Sequence, residues 1–302
     1  MINKLLTACD QRFQAERHGK TCINCTYAGH CPNNCEECLE LVHFPSRVVE
    51  NAPPRKYDCK HMADFYVCKY GYKYVSELIY AFRLLRDLQN RQNLKVLSFG
   101  CGPCTDLLAL DYLRQSGEYV FETLEYHGVD YNMEVWKNIH DNLNQNSSNG
   151  INNKFFNLDA RQFINEIINS EWKPDLVVFQ YFFSDMVKNV HSSAINSFIN
   201  AFSTYMNLKM PINSYVVMND INLSTIYSGG REYLDELQKT TNEFCDFRRR
   251  HFMNNSRHNT FEYGQKIENN NLIFNPSLVV YYNPFRSCSS AQMILKKTGE
   301  TL

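Results

Sequence analysis

One stretch of this chain, in which an apolar run ends in a Gly-x-Gly turn and passes directly into a helical pattern, constrains the fold most. The apolar run covers residues 96–99, the turn is Gly100-Cys101-Gly102, and the helical pattern follows Pro103-Cys104. Glycine has no Cβ, so the backbone of such a turn can pass close to a bound molecule. A helix that starts here adds unpaired N–H groups and a positive dipole end. The stretch therefore predicts a strand, a tight turn and a helix N-terminus that suit a nucleoside-containing cofactor with an acidic group.

Four further strand-like segments alternate with helical patterns after this turn. They cover residues 125–132, 154–160, 174–181 and 214–220, and acids stand at the ends of the first two strands, at Asp130 and Asp159. A carboxylate at the end of such a strand can accept two hydrogen bonds from a ribose diol. Residues 277–283 and 292–296 are expected to be the last strands. The alternation predicts an α/β fold with a doubly wound, mostly parallel seven-stranded sheet.

These residues resemble the class I S-adenosylmethionine-dependent methyltransferases, over about residues 75–300. The resemblance implies a Rossmann-like catalytic domain with S-adenosylmethionine as its cofactor. It assigns the methionine part of the cofactor to Gly100 and Gly102, and the ribose to Asp130. It assigns the adenine to Asp159, with Ala160 beside it. Further cofactor-binding positions are Ser98, Cys101, Tyr131 and Gln180.

The chain departs from that family at two positions of the turn. Ser98 stands where an acid is often found, and Cys104 replaces the third glycine. Pro103 is compatible with a helix start, because its missing N–H would be unpaired there. The two cysteines of the turn are expected to pack within it. A dinucleotide-binding oxidoreductase is disfavoured, because its third glycine has no counterpart at the required spacing.

The segment that ends the predicted fourth strand is expected to face the methyl acceptor. It supplies the candidate catalytic residues Tyr181, Ser184 and Asp185. Methyl transfer from a sulfonium is an in-line displacement, so positioning of the nucleophile supplies most of the rate. A hydroxyl acceptor would also need a base. The alternative roles are packing for Tyr181 and helix capping for Asp185, and Asp220 is a further candidate at the fifth strand.

Cysteines are concentrated before residue 70, where eight of the 12 cysteines lie. Five of them follow the spacing C-x2-C-x5-C-x3-C-x2-C. The first residues contain no long apolar region that would indicate a signal peptide, so we expect a cytoplasmic protein with reduced thiols. Paired C-x-x-C units in that setting predict a metal site. The candidate ligands are Cys22, Cys25, Cys31, Cys35, Cys38, Cys59 and Cys68.

The number of cysteines fits one or two zinc ions. A second ion needs an eighth ligand, which a histidine could supply: His18, His30, His43 or His61. A closed iron–sulfur cluster is an alternative that ligand identity leaves open. Cys31, Cys35 and Cys38 also resemble the cluster motif of the radical S-adenosylmethionine enzymes, but the flanking Cys22 and Cys25 favour a closed site.

The chain of 302 residues can hold two parts. Residues 1–70 are predicted to be a Cys-rich metal-binding module and residues 71–302 the methyltransferase domain, joined by an amphipathic helix over residues 72–88. A net charge of -1 and a pI of about 6.7 provide no global attraction to nucleic acid or membranes. No apolar run reaches the roughly 20 residues that span a bilayer.

The acceptor is the least constrained part of the function. The segment Phe247-Arg248-Arg249-Arg250-His251-Phe252, with Arg257-His258 after it, interleaves basic and aromatic residues that could hold phosphates and stack on bases. A macromolecular acceptor, preferably RNA, is therefore expected. The alternatives are a small-molecule methyltransferase, with an enclosed pocket over Tyr181, and a non-catalytic binding protein. The oligomeric state and the role of the Cys-rich module stay open.

Overall fold

The computed structural model describes residues 1–16, 35–44, 56–253 and 262–299. Within these ranges eight strands form one mixed α/β sheet. The strands are β1 Asn93–Phe99, β2 Thr123–Asp130, β3 Ile151–Asn157, β4 Leu176–Gln180, β5 Tyr215–Ile221, β6 Cys245–Phe252, β7 Gln265–Ile267 and β8 Ser290–Lys297. Their order across the sheet is β3-β2-β1-β4-β5-β8-β6-β7.

The direction of the chain across the sheet reverses between β1 and β4. Strands β1 to β5 run parallel to one another, whereas β8 lies antiparallel between β5 and β6. At such a reversal the loops that follow the two central strands lead away from each other and leave a crevice. The topology therefore places a crevice at the carboxyl ends of β1 and β4.

Helices cover both faces of the sheet. The described residues form α1 Ile2–Glu16, α2 Cys35–His43, α3 Lys60–Phe82, α4 Arg86–Gln89, α5 Thr105–Gln115, α6 Met133–Asn146, α7 Ala160–Ile167, α8 Phe182–Asn189, α9 Ser192–Lys209 and α10 Arg231–Thr241. Among these helices, none is both long enough and apolar enough to cross a bilayer.

Alternate side chains of the central strands enter two separate cores. Val96 of β1 belongs to the core that contains residues of α1, α3, α5 and α6. The adjacent Leu97 belongs to the core formed with α7, α9 and α10. Neighbouring strands repeat this alternation, with Val178 in the first core and Val177 in the second. Because successive side chains point to opposite faces of a strand, the near-continuous apolar runs of the sequence are explained by burial on both faces.

The sheet has one more described strand than the seven predicted, and the expectation for residues 277–283 is wrong. Pro276–Tyr282 forms 3-10 turns, because the side chain of Asn275 accepts a hydrogen bond from the N–H of Ser277 at 3.1 Å and Pro276 starts the helical turn. The strands β6 and β7 were not predicted. The basic residues of β6 hide its pattern, because three consecutive arginines show no alternation of apolar and polar side chains, although the strand pairs with β8 along its length.

Helix α3 begins 12 positions before the predicted helix at Tyr72 and ends at Phe82, before the predicted end at Leu88. It is buried along most of its length, which includes Lys73, Ser76 and Glu77. A helix that is buried all round does not show a single apolar stripe, and this explains the misplaced start. The proposed boundary at residue 70 falls inside this helix.

Helix α1 packs on α3 through Leu5 and Leu6, which are fully buried. Arg12 extends the contact with an ion pair to Asp64 at 2.6 Å, and the Tyr72 hydroxyl donates to Asn3 at 2.9 Å. Leu5 and Leu6 share one continuous core with Val96 and Val178 of the sheet. The first helix is therefore integrated with the α/β unit.

Replacement of Leu6 by alanine is expected to lower the free energy of unfolding of the whole protein by about 2–5 kcal/mol, because it opens a cavity in this shared core. Chemical denaturation followed by circular dichroism measures the loss. Lys4→Ala is the matched control, because Lys4 is exposed on the same helix, and its effect should stay within about 0.5 kcal/mol. A small local loss in both variants would mean that α1 unfolds independently of the sheet.

Candidate functional site

A cavity of about 630 Å³ opens at the carboxyl ends of β1, β2 and β4. It lies at the reversal of strand order, where the topology places a crevice. Every residue that the sequence assigned to the cofactor or to catalysis lines it: Ser98, Gly100, Cys101, Gly102, Asp130, Tyr131, Asp159, Ala160, Gln180, Tyr181, Ser184 and Asp185. The structure therefore brings these residues together, and their individual roles remain predictions.

The turn after β1 needs its glycines at both positions. Gly100 and Gly102 have φ angles of +59° and +44°, in the left-handed region that glycine enters without steric cost. A Cβ at Gly100 would lie 2.9 Å from the Phe182 ring, and one at Gly102 would contact Trp136 at 3.6 Å. The turn thus exposes bare backbone to the cavity.

Asp130 at the end of β2 is tied to this turn. Its two carboxylate oxygens accept hydrogen bonds from the N–H of Gly102 at 3.1 Å and of Asn132 at 2.9 Å. Burial raises the pKa of Asp130, and these two bonds oppose the rise. Each carboxylate oxygen can accept a second hydrogen bond, so Asp130 retains capacity to accept from a ligand in the cavity.

Asp159 lies on the wall beside Ala160, and it caps α7. Its side chain accepts from the N–H of Arg161 at 2.9 Å and pairs with the Arg161 guanidinium at 3.0 Å. Burial would raise the pKa of Asp159, but Arg161 outweighs burial and lowers it. Asp159 therefore has a structural role as a helix cap, whether or not it also contacts a ligand.

Gln180 at the end of β4 has both ends of its amide engaged. Its Nε2 donates to the Tyr74 carbonyl at 3.0 Å, and its Oε1 accepts from the Thr105 hydroxyl. Gln180 thus joins α3, β4 and the start of α5 along one wall. Ser98 also lines the cavity and is buried.

Tyr181 holds the turn between β4 and α8 with a positive φ of 55°. Its hydroxyl donates to Oε2 of Glu77 at 2.8 Å and accepts from Nζ of Lys73. Lys73 and Glu77 also form an ion pair at 3.1 Å, with side chains that are almost fully buried. The Tyr181 hydroxyl is therefore committed to this network, and its ring stacks on Tyr74 at 4.2 Å where both residues line the cavity.

Ser184 and Asp185 follow on the first turn of α8. The N–H of Ser184 donates to Oδ2 of Asp220 at 3.0 Å, and its hydroxyl donates to the Tyr181 carbonyl at 3.2 Å. Both groups of Ser184 hold the helix start in place. Burial raises the pKa of Asp185 to about 6, and burial lowers the pKa of the neighbouring Lys188. Asp185 is thus the titratable group of the predicted trio that can exchange a proton near neutral pH.

A row of tyrosines on α3 also lines the cavity, and the sequence analysis missed it. Tyr66, Tyr70 and Tyr74 lie at four-residue spacing, which places them on one face of the helix. The rings of Tyr70 and Tyr74 stack at 5.3 Å, and Tyr74 stacks on Tyr181 at 4.2 Å. The regular spacing of the three tyrosines was the available signal.

The structure describes only some of the predicted metal ligands. Cys22, Cys25 and Cys31 lie outside the described residues, as do His18 and His30. Cys35 and Cys38 are buried on α2, and the Cys59 sulfur accepts from the N–H of Met62 at the start of α3. The Cys68 thiol faces α1, 3.9 Å from the Leu6 carbonyl. Within the described ranges, these four cysteines are not part of a group of three ligands at metal-binding distance.

The two described histidine candidates have other contacts. His43 Nε2 lies 2.8 Å from the Tyr57 hydroxyl, and burial lowers the pKa of His43 to about 3. The His61 ring stacks on Phe13 at 4.3 Å. The neutral imidazole of His43 could still bind a metal, so its candidacy stays a prediction.

The basic segment predicted to contact nucleic acid belongs to the sheet. Arg248, Arg249 and Arg250 are part of β6 and do not line the cavity. Arg249 pairs with Asp235 at 3.0 Å, and Arg250 donates to the Tyr80 carbonyl at 3.2 Å. Arg257-His258 lies outside the described residues. The described part of this segment therefore provides no support for an RNA acceptor.

The pH dependence of stability is expected to report Asp185. Its pKa of about 6, against an ordinary value of 3.8, means that the folded protein binds the proton more tightly than the unfolded chain. The resulting stabilisation is complete below about pH 4 and is lost as the pH rises through 6. Between pH 4 and 7, the free energy of unfolding should fall by on the order of 1–2 kcal/mol more in the wild type than in Asp185→Asn. Urea titrations at several pH values test this, with the exposed Asp141→Asn as control. Equal pH profiles in wild type and Asp185→Asn would contradict it.

No family profile and no curated protein matches this sequence. Its fold is similar to solved structures of methyltransferases. One of them is a protein from Listeria monocytogenes that is described as a class I S-adenosylmethionine-dependent methyltransferase. The two sequences are 10% identical and the TM-score is 0.46, and the match covers 100% of this chain and 89% of the Listeria chain. The plantazolicin methyltransferase BpumL, solved in complex with SAH, shares 12% identity and a TM-score of 0.44 over 87% and 98%. The precorrin-6y C5,15-methyltransferase from Geobacter metallireducens shares 13% identity and a TM-score of 0.37 over 72% and 86%. Similarity at this level carries no argument about activity, which is left to the residues of the cavity.

Proposed function

We propose that this protein is an S-adenosylmethionine-dependent methyltransferase. The observation that carries the proposal is the contact between Asp130 and the N–H of Gly102 at 3.1 Å. It joins an acid at the end of one parallel strand to a bare glycine turn at the end of the next, at the reversal of strand order. This arrangement suits a ligand with a diol and an anionic tail, because the acid can accept from hydroxyls and the N-terminus of α5 has a positive dipole end.

The residues that line the cavity have the chemistry that such a cofactor needs. Gly100 has no side chain, and a Cβ at this position would collide with the Phe182 ring. Asp130 can still accept hydrogen bonds from ribose hydroxyls. Tyr131 and Ala160 line the neighbouring wall, where a purine could lie. S-adenosylmethionine, when bound, supplies a methyl group on a sulfonium that a nucleophile can displace.

Asp185 is the residue proposed to handle the proton of the acceptor. Its raised pKa of about 6 leaves most of the carboxyl ionised at pH 7, so it can accept a proton from an amine or a hydroxyl. Tyr181 and Ser184 are proposed as positioning residues. Ser184 fixes the start of α8, which carries Asp185, and Tyr181 provides a ring against which an acceptor could pack.

The proposed acceptor is a small molecule with a planar group. Tyr66, Tyr70 and Tyr74 line the cavity together with Tyr181 and Phe285, and stacked rings favour a flat partner. The Arg248–Arg250 segment lies away from this wall, so the aromatic cavity supports a small-molecule acceptor over the RNA first expected. The non-catalytic alternative keeps the same fold and predicts no turnover.

We also infer a structural metal held by the N-terminal cysteines. Cys35 and Cys38 lie at i and i+3 on α2, so that their side chains share one face. Both are buried, and they directly follow the segment that carries Cys22, Cys25 and Cys31. Two thiolates at this spacing can bind one tetrahedral ion, and zinc or an iron–sulfur cluster would satisfy the ligand set.

Removal of the Asp130 carboxylate is expected to weaken binding of S-adenosylhomocysteine at least tenfold, which is about 1.4 kcal/mol or more. Isothermal titration calorimetry on the wild type, Asp130→Ala and the surface control Asp141→Ala measures the effect, and circular dichroism verifies folding. Binding that is unchanged in Asp130→Ala, or absent in the wild type, would contradict the cofactor assignment and favour the binding-protein alternative.

Methyl-tritiated S-adenosylmethionine then identifies the acceptor in a fractionated extract. Label is expected in the small-molecule fraction, with a loss of at least tenfold in Asp130→Ala and in Tyr70→Ala, while Tyr70→Ala keeps its affinity for S-adenosylhomocysteine. Label in RNA would overturn the small-molecule proposal and leave methyl transfer intact. The surface variant Asp141→Ala provides the reference rate.

Elemental analysis of the purified protein is expected to find at least one zinc or iron per chain. The double variant Cys35→Ser/Cys38→Ser should lose metal and melt at a lower temperature, because a structural metal contributes folding free energy. Cys245→Ser, which changes a buried cysteine of β6, should keep its metal. A metal-free wild type whose melting is unaffected by a chelator would remove the metal proposal.

A further inference from the structure

Two cysteines of the cofactor turn face each other. The N–H of Cys104 donates to the Cys101 carbonyl at 2.7 Å, which closes a turn over Gly102 and Pro103. Such a turn brings its first and last Cα atoms within about 7 Å, and disulfides join Cα atoms about 4.4–6.8 Å apart. The side-chain sulfur atoms and one ring nitrogen of His140 all lie within 4.8 Å of one another.

Cys104 occupies a backbone conformation that its residue type does not favour. Its φ is +57° at the N-cap of α5, in the left-handed region where side chains other than that of glycine are disfavoured. Glycine at this position would avoid the strain. The strain is therefore consistent with a use for the thiol itself, beyond filling space.

The surroundings of Cys104 stabilise a thiolate. Burial opposes ionisation, but the hydrogen bond from the Cys101 thiol and the charge of the His140 imidazole outweigh it and lower the pKa of Cys104. Burial also lowers the basicity of His140, but Cys104 outweighs this and raises the pKa of His140. His140 is held in place by a contact of 2.7 Å between its Nε2 and the Gly102 carbonyl and by stacking on Phe155 at 4.1 Å.

The two thiols differ in access. Both cysteines are buried, but Cys101 lines the cavity and keeps an exposed fraction of 5%, whereas Cys104 keeps none and does not line the cavity. A small reagent that enters the cavity therefore meets Cys101 first, and Cys104 lies beside Cys101 on its buried side. An attacking thiol has to meet the external disulfide, and a resolving thiol has to meet only the attacking thiol. Cys101 and Cys104 are placed for these two roles.

We propose that Cys101 and Cys104 are a reversible dithiol–disulfide site, oxidised by a low-molecular-weight disulfide that enters the cavity. Cys101 transfers its proton to Cys104 and attacks the disulfide, which releases one thiolate and leaves a mixed disulfide on Cys101. The proton taken up by Cys104 then passes to the first departed thiolate, and Cys104 attacks the Cys101 sulfur, which releases the second thiolate. The two cysteines begin as one thiol and one thiolate and lose two electrons and one proton, and the small disulfide leaves as one thiol and one thiolate.

A metal ion is the competing occupant of this cluster. Zinc in a structural site takes four ligands, and Cys101, Cys104 and His140 form a group of three within the described residues. The thiol–thiolate pair at a helix N-terminus favours redox chemistry, because C-x-x-C spacing at such a position lowers a thiol pKa and permits disulfide formation.

Oxidation of the pair would alter the turn that the proposed cofactor uses. Gly102 lies between the two cysteines, and its N–H is the donor to Asp130. A disulfide across Gly102 would constrain this donor, so the oxidised protein is expected to bind S-adenosylhomocysteine at least fivefold more weakly. This consequence rests on the proposed function, whereas disulfide formation itself does not.

The test equilibrates the full chain with glutathione buffers of increasing oxidised fraction, followed by acid quench, alkylation with N-ethylmaleimide and peptide mass spectrometry. The expected result is one two-electron transition, in which the peptide that carries Cys101 and Cys104 changes from two alkylated thiols to a mass lower by two hydrogens and without label. Cys245 should remain alkylated throughout. Two alkylated thiols at every buffer composition would overturn the proposal.

Single variants separate the roles of the two thiols. In Cys104→Ser, Cys101 is expected to accumulate one glutathione as a mixed disulfide, because the resolving thiol is missing. In Cys101→Ser, Cys104 is expected to remain at least 90% unmodified in the most oxidising buffer, because it does not reach the cavity. Equal glutathione addition at both sites, or stoichiometric zinc that is lost from both variants, would overturn the assignment. These readouts need no methyl transfer, so failure here is distinct from failure of the proposed function.

Discussion

The geometry of the cavity depends on the hydrogen bonds and the ion pair of one buried carboxylate, that of Glu77. Its side chain is fully buried on α3, and it is paired with Lys73 and accepts from the Tyr181 hydroxyl, the Asn219 amide at 3.1 Å and the N–H of Ser289 at 2.9 Å. These partners come from α3, from the ends of β4 and β5, and from the segment before β8. A buried charge without partners costs several kcal/mol, so the elements that satisfy Glu77 are held in one arrangement.

The network positions both walls of the cavity at once. Helix α3 carries the tyrosine row, and Tyr181 starts the helix that carries Asp185. Because Tyr181 bonds Glu77 and stacks on Tyr74 at 4.2 Å, the aromatic wall and the sheet end are joined through one side chain. Gln292 strengthens the joint by donating to the Glu77 carbonyl at 2.7 Å. Because helices and strands hold these side chains, the pocket is expected to be preorganised.

Local patterns predicted most of the sheet and the composition of one wall. The runs that became β1, β4 and β5 are mainly apolar, and Gly-x-Gly, Asp130 and Gln180 stand at the ends of β1, β2 and β4. Parallel strands bring such ends to one edge of the sheet. The strand β6 was missed, because its three arginines resemble a solvated segment until pairing with β8 is known. The composition of residues 277–283 predicted a strand, but Asn275 and Pro276 start a helical turn there. The tyrosines of α3 were overlooked because a helix buried on all sides lacks the apolar stripe that marks its register.

The sequence by itself determined the α/β class, the glycine turn, the acids that follow the strands and the presence of paired cysteines, because each depends on residues that are close along the chain. The tertiary structure decided which distant groups meet. Glu77 meets Ser289 and Asn219, Cys104 meets His140, and the tyrosines of α3 meet Tyr181. Those encounters follow from how α3 and α6 pack on the sheet, and long-range packing is a property of the whole core that no local spacing specifies.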